Sequence, residues 1–165
     1  MPIPQKLIKF LEKNKIKYEK VEHRQVFTAF DKAATLKAKI NTIGKTLVLK
    51  ADRDLAIALI SGNKNLDKKK FKKIVNDWRK KQGHKSAKSI DFISEKLMKA
   101  KFKGFKIGAV PPFGELFEIP TFIDRGLLRE KNILVNSGIY TASLNLSPKI
   151  FEKLGAIKGS FSKAK

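Results

Sequence analysis

Asn41-Thr-Ile-Gly-Lys-Thr-Leu-Val-Leu-Lys50 leads through Ala51-Asp-Arg-Asp54 into Leu55-Ala-Ile-Ala-Leu-Ile60. Two runs rich in aliphatic and β-branched residues flank a three-residue polar break, which predicts a β-hairpin with strands at Thr46–Ala51 and Leu55–Ile60 and its turn at Asp52-Arg-Asp54. Lys45 stands at the mouth of the first strand, a charge placed where the neighbouring residues are apolar or β-branched, and is the first candidate for a working residue.

Outward from the hairpin, the flanking segments alternate in type. Leu7, Ile8, Phe10 and Leu11 have the spacing of a helix face, and Tyr18 to Val26 is short and mixed enough for a strand and a turn. Thr28-Ala-Phe-Asp31 has capping-box spacing, with the Asp31 carboxylate in reach of the free amides of a helix expected to run to about Lys39. Downstream, Phe71, Ile74, Val75 and Trp78 follow i, i+3, i+4, i+7 spacing and predict an amphipathic helix whose lysines stay in water. Arg79 to Ser86 reads as a loop, Ser89 to Ile93 as a short strand and Ser94 to Lys101 as a short helix.

Gly108-Ala-Val-Pro-Pro-Phe-Gly114 is a shaped loop, because its prolines fix φ and its glycines permit unusual backbone angles. Strand-like runs follow at Pro120–Asp124, Ile133–Asn136 and Ser143–Leu146. Ser147-Pro148 and Gly155 then bracket a last helix. Lys158 to Lys165 is expected to fray.

Composition bounds the partners. The 165 residues fit one domain with a real core, and 37 Lys and Arg against 15 Asp and Glu leave a charge of +22. Such a surplus favours a polyanion, nucleic acid before membrane. Residues 64–103 hold 15 basic and 4 acidic residues, a net +11 and half of the total. Phosphate contact is therefore expected from Lys64, Lys68, Lys69, Lys70, Lys72, Lys73, Arg79, Lys80 and Lys81, the alternative being a solvated face. No apolar run reaches the roughly 20 residues of a membrane span and no signal-peptide core opens the chain, so a cytoplasmic protein is expected. With no cysteine and two histidines, neither a metal site nor a cofactor is expected.

The order of segments resembles the YbaK-type aminoacyl-tRNA deacylases, which include the editing domain inserted in bacterial prolyl-tRNA synthetases. The resemblance rests on Glu22-His23, Val26-Phe-Thr-Ala29 and Ala33-Ala34; on Gly44-Lys-Thr-Leu-Val-Leu49; on Gly108 to Gly114; on Asp124 with Leu127-Leu128; and on Asn136-Ser-Gly138 with Ser143-Leu144 and Leu146-Ser147. It spans about residues 7 to 154. Two stretches depart from the pattern: Arg24-Gln25, where the family often carries prolines, and Ile139-Tyr-Thr-Ala142, where a small proline-containing turn is common. Both lie near the expected pocket and bear on amino acid specificity.

The resemblance implies a mixed α/β single domain, its twisted, barrel-like, mostly antiparallel or mixed sheet flanked by helices. That domain would occupy residues 1–157, with the lysine-rich stretch 64–103 as an excursion and 158–165 as a tail. It also implies hydrolysis of the ester of a misacylated tRNA, of prolyl type among the usual targets, with tRNA as partner and a synthetase as a second. Lys45 would act as cation or as base, the cation being favoured, and Gly108 would lend amides to the oxyanion. Tyr18, Phe27, Thr28, Pro112, Asp124, Ser137 and Gly138 would bind substrate, with Asp124 orienting Lys45 or taking the α-amine. His23 would be structural and Trp78 a core residue before a stacking one. Rival readings are a catalytically idle nucleic-acid-binding module on the same fold and a domain that regulates a synthetase by contact.

Overall fold

The computed structural model describes residues 2–165. Its elements are α1 (Gln5–Lys13), β1 (Glu19–Glu22), α2 (Ala29–Leu36), β2 (Gly44–Ala51), β3 (Asp54–Ser61), β4 (Lys64–Leu66), α3 (Lys68–Lys81), β5 (Ile90–Phe92), α4 (Glu95–Lys101), β6 (Thr121–Asp124), α5 (Arg125–Leu128), β7 (Ile133–Asn136), β8 (Ala142–Leu146), α6 (Lys149–Lys153), β9 (Ile157–Gly159) and β10 (Ser162–Ala164). No helix among the described residues is long and apolar enough to cross a membrane.

The predicted hairpin is the centre of the molecule. β2 and β3 pair antiparallel from Gly44↔Ser61 to Ala51↔Asp54, and Asp52 takes a left-handed φ of 56° at the turn. β5 adds to β2, while β6 and then β9 add in parallel on the other side, giving the order β5-β2-β3-β6-β9. Strand alternation splits β3 between two cores. Ile57 and Leu59 face Leu7, Leu11, Phe113, Val135 and Leu144, whereas Ala58 and Ile60 face Phe71, Val75, Phe122 and Phe161. A second antiparallel sheet, β1-β8-β7, meets the start of β2 through a parallel bridge between Ile43 and Leu134.

The expected mixed α/β single domain is thus present, with open sheets where a barrel-like sheet is expected. The lysine-rich stretch is no excursion. α3 docks through Phe71 and Val75, its Trp78 packs edge-on against Phe122 at 5.7 Å, and β5 is a strand of the main sheet.

The expected frayed tail is instead clasped to the body. β9 extends the central sheet, β10 pairs with β4, and Phe161 is fully buried between them, in edge contact with Phe71 at 5.1 Å. The lysines around Phe161 hide this role in the sequence, because one aromatic has no period. A fully buried phenylalanine contributes about 1.5–3 kcal/mol, enough to fix so short a segment. The helix opened by Thr28 also ends early. Thr28 Oγ accepts from the Asp31 amide at 3.0 Å, and Lys37, at φ 53°, stops the helix after Leu36.

Candidate active site

A cavity of about 380 Å³ opens where β2 begins, between α2, the 106–109 loop and the turn after β7. The pleat divides its polar groups. Lys45 pairs with Ile60 in the sheet and points to the α3 side, where its Nζ donates to the Lys64 carbonyl at 2.6 Å. Thr46, paired with Leu59, points to the other face, and its buried Oγ1 has no hydrogen-bond partner among the described residues.

Burial, and then the charge of Lys165 on the cavity rim, lower the pKa of Lys45. A short bond to a carbonyl, which can only accept, favours the protonated amine and opposes that shift.

The opposite wall carries Lys32, which sequence reading passed over. It is only 7% exposed, and its Nζ donates to Asn136 Oδ1 at 3.0 Å. Burial pushes its pKa down to about 8. Asn136 is itself oriented, since its amide donates to the carbonyls of Val110 at 3.2 Å and Gly108 at 3.4 Å. His23 stands beside this pair. Its Nδ1 contacts the Arg24 carbonyl at 2.8 Å and must donate, which leaves Nε2 to accept from Ser143 Oγ at 2.9 Å in the neutral ring. Burial lowers its pKa, against the pull of the Arg24 carbonyl and with the Lys32 charge in support.

Gly108 lines the cavity with φ 82°, a backbone a Cβ would strain, and its amide has no partner among the described residues. The neighbouring Ala109 amide is taken by the Lys106 carbonyl at 3.0 Å. The loop therefore leaves the Gly108 amide without a protein partner, while the Ile107 carbonyl of the same peptide accepts from the Tyr140 hydroxyl at 2.6 Å. Phe27 and Phe30, 62% and 68% exposed, stand at the mouth, with Phe27 edge-on to Tyr140 at 4.8 Å.

Of the expected site residues, Lys45, Gly108, Phe27 and Thr28 come together here. Others lie elsewhere. Asp124 binds neither Lys45 nor the cavity: its carboxylate accepts from the Phe161 amide at 2.8 Å, the Gly126 amide at 3.1 Å and the Ser162 hydroxyl at 3.1 Å, so it ties down the C-terminal clasp. Tyr18 and Pro112 line two separate grooves. Ser137, fully buried, donates to the Ala142 carbonyl behind the cavity, and Gly138, at φ 94°, donates to the Ala109 carbonyl at 2.8 Å and braces the Gly108 loop.

Among the expected phosphate contacts, Arg79 is withdrawn. It is 9% exposed and holds the Ala51 carbonyl at 3.1 Å and Asp54 at 3.0 Å, pinning α3 to the hairpin turn. Lys68, Lys69, Lys70, Lys73, Lys80 and Lys81 are exposed, whereas Lys64 and Lys72 are half-buried.

Residues 23–154 match the aminoacyl-tRNA editing domain. The chain belongs to that family. Its fold is similar to that of a protein described as "a putative trans-editing enzyme for prolyl tRNA synthetase" (24% identity over 99% of both chains, TM-score 0.79). It is also similar to a hypothetical protein (22% identity over 96% of this chain and 99% of the other, TM-score 0.78). A protein of Marinobacter aquaeolei VT8 described as a "Putative signal transduction protein" shares the fold over 98% of this chain and 31% of its own (16% identity, TM-score 0.65). Curated proteins yield no match. Among the missed site residues, Lys32 and Lys165 carried no signal above the other lysines, whereas Tyr140 and Asn136 lay in stretches already singled out.

Proposed function

We propose that this editing-domain protein is a trans-acting deacylase that hydrolyses the ester of a misacylated tRNA, a mischarged prolyl-type tRNA first among candidates. The observation that carries the reading is one cavity lined both by an anchored lysine, Lys45, and by Gly108, whose amide has no protein partner among the described residues.

Ester hydrolysis adds water to the acyl carbon, breaks the bond to the ribose oxygen, and returns a proton to that oxygen as it leaves. The Gly108 amide is suited to the oxyanion of the tetrahedral intermediate, where removing one donor typically costs about a hundredfold or more in rate. The Lys45 ammonium, close to Lys165 on the open side, suits the terminal phosphate and the developing charge on the ribose oxygen. The exposed Phe27 and Phe30 suit the face of the terminal base, since unpaired RNA ends are held by stacking on aromatics. The lysines of α3 suit the acceptor-stem backbone.

A deacylation panel of charged tRNAs tests the reading. Release of amino acid from at least one misacylated tRNA, above the uncatalysed rate and lost in Lys45→Ala, is expected. A folded protein that binds tRNA and hydrolyses none of them would leave an idle binding module.

A further inference from the structure

The cavity has two cationic poles, and the deacylase reading uses one. Lys45 with Lys165 forms the outer pole, and among the described residues the lining contains no Asp or Glu. The inner pole is Lys32. None of the ion pairs among the described residues includes it, and a protonated amine has three donors of which Asn136 takes one. Two donors of this buried cation therefore have no protein partner among the described residues, on a side chain that lines the cavity. Leaving such donors unmet costs free energy that a ligand acceptor recovers.

Phosphates are poor candidates for that acceptor, because a hydrated polyanion reaches the exposed Lys165 and the half-buried Lys45 before a lysine that is 7% exposed. On the deacylase reading, the group that would enter as far as Lys32 is the acyl group, with its carbonyl by Gly108. Asn136 connects the two places, with its amide on the Gly108 and Val110 carbonyls and its oxygen on Lys32.

We propose that Lys32, positioned by Asn136, is a specificity-determining residue that selects aminoacyl esters whose side chain offers an oxygen acceptor, hydroxyl or carboxylate, and turns away cationic ones. The assignment rests on the deacylase reading and narrows it. A buried donor discriminates strongly against a substrate that cannot fill it, whereas an apolar pocket discriminates weakly.

The experiment compares wild type, Lys32→Met and Lys32→Arg on tRNAs carrying seryl, aspartyl, alanyl and lysyl esters, with circular dichroism as the check on folding. Wild type is expected to hydrolyse the seryl and aspartyl esters best and the lysyl ester least. Lys32→Met is expected to lose on the order of 10- to 100-fold on the seryl and aspartyl esters, chiefly through KM, as fits one hydrogen bond to a charged group. The alanyl ester should change little, and Lys32→Arg should keep part of the preference. An unchanged ranking in Lys32→Met, or a wild-type preference for alanyl or lysyl esters, overturns the assignment and leaves the deacylase reading standing. A wild type inactive on every ester removes both. A readout independent of turnover is the 15N resonance of the Lys32 amine titrated with non-hydrolysable 3'-seryl-amide and 3'-alanyl-amide adenosine. Movement with the first alone supports the assignment, and equal or no movement overturns it.

Discussion

The lysines of the cavity and the lysines of α3 are the same residue in two physical situations. Lys68, Lys69 and Lys73 are exposed along a helix whose other face is packed. Lys32 is buried and Lys45 half-buried; each is fixed by a single named acceptor and has its pKa pushed down by burial. The contrast separates attraction from selection. On the function proposed above, the exposed lysines would draw a polyanion in and the buried ones would hold a particular atom.

The largest test of this contrast is stability against pH. Lys32 is held at about 8 against an ordinary 10.5. Its folded pKa lies below its unfolded one, so the unfolded chain binds more protons between those values and stability rises with pH across that window. Below pH 8 the burial cost is present in full, roughly 3 kcal/mol from the shift, and it vanishes above 10.5. Lys32→Met should therefore be more stable than wild type at pH 7 in urea denaturation and should lose that advantage towards pH 10.5. The same change in an α3 control, Lys69→Met, is expected to stay within about 0.5 kcal/mol of wild type at any pH. A pH-independent gap between Lys32→Met and wild type would break the contrast.

Next in size is Gly108→Ala. A left-handed φ costs a Cβ-bearing residue about 1–2 kcal/mol, and any relaxation of the loop moves the free amide. Turnover should drop on the order of 10- to 100-fold with tRNA affinity unchanged. Equal losses in both would assign the loop to the RNA contact surface.

Smaller still is the effect of converting Lys68, Lys69, Lys72 and Lys73 to Gln. Every phosphate that is no longer neutralised should reduce the salt slope of log affinity by roughly 0.7 to 0.9, with affinity at moderate salt down about tenfold and single-turnover rates at saturating tRNA unaltered. An undiminished slope would make α3 a solubilising face.

The hairpin and α3 were legible in the sequence because their signals are local: aliphatic and β-branched runs at Thr46–Ala51 and Leu55–Ile60 around a polar break, and i, i+3, i+4, i+7 spacing from Phe71 to Trp78. Lys45 was legible by its place at a strand mouth, and Gly108 by the company of its prolines. Lys32 was not, since burial is a tertiary property and the capping pattern around it describes the helix end alone. Asp124 misled for the same reason, because its partners lie 37 and 38 residues on, in a segment with no periodic signal. Arg79 continues the basic run of α3 in sequence, but falls on the packed face where the helix meets the Asp52 turn.

The central claim, that binding and chemistry reside in different lysines, is tested most directly by measuring tRNA affinity and single-turnover deacylation side by side for Lys45→Ala and the four-lysine α3 variant. The account predicts crossed losses: Lys45→Ala folded, losing in tRNA affinity no more than its single terminal-phosphate contact, and at least about a hundredfold slower, with the α3 variant weak in binding and normal in rate. A folded Lys45→Ala protein that deacylates at the wild-type rate would contradict it.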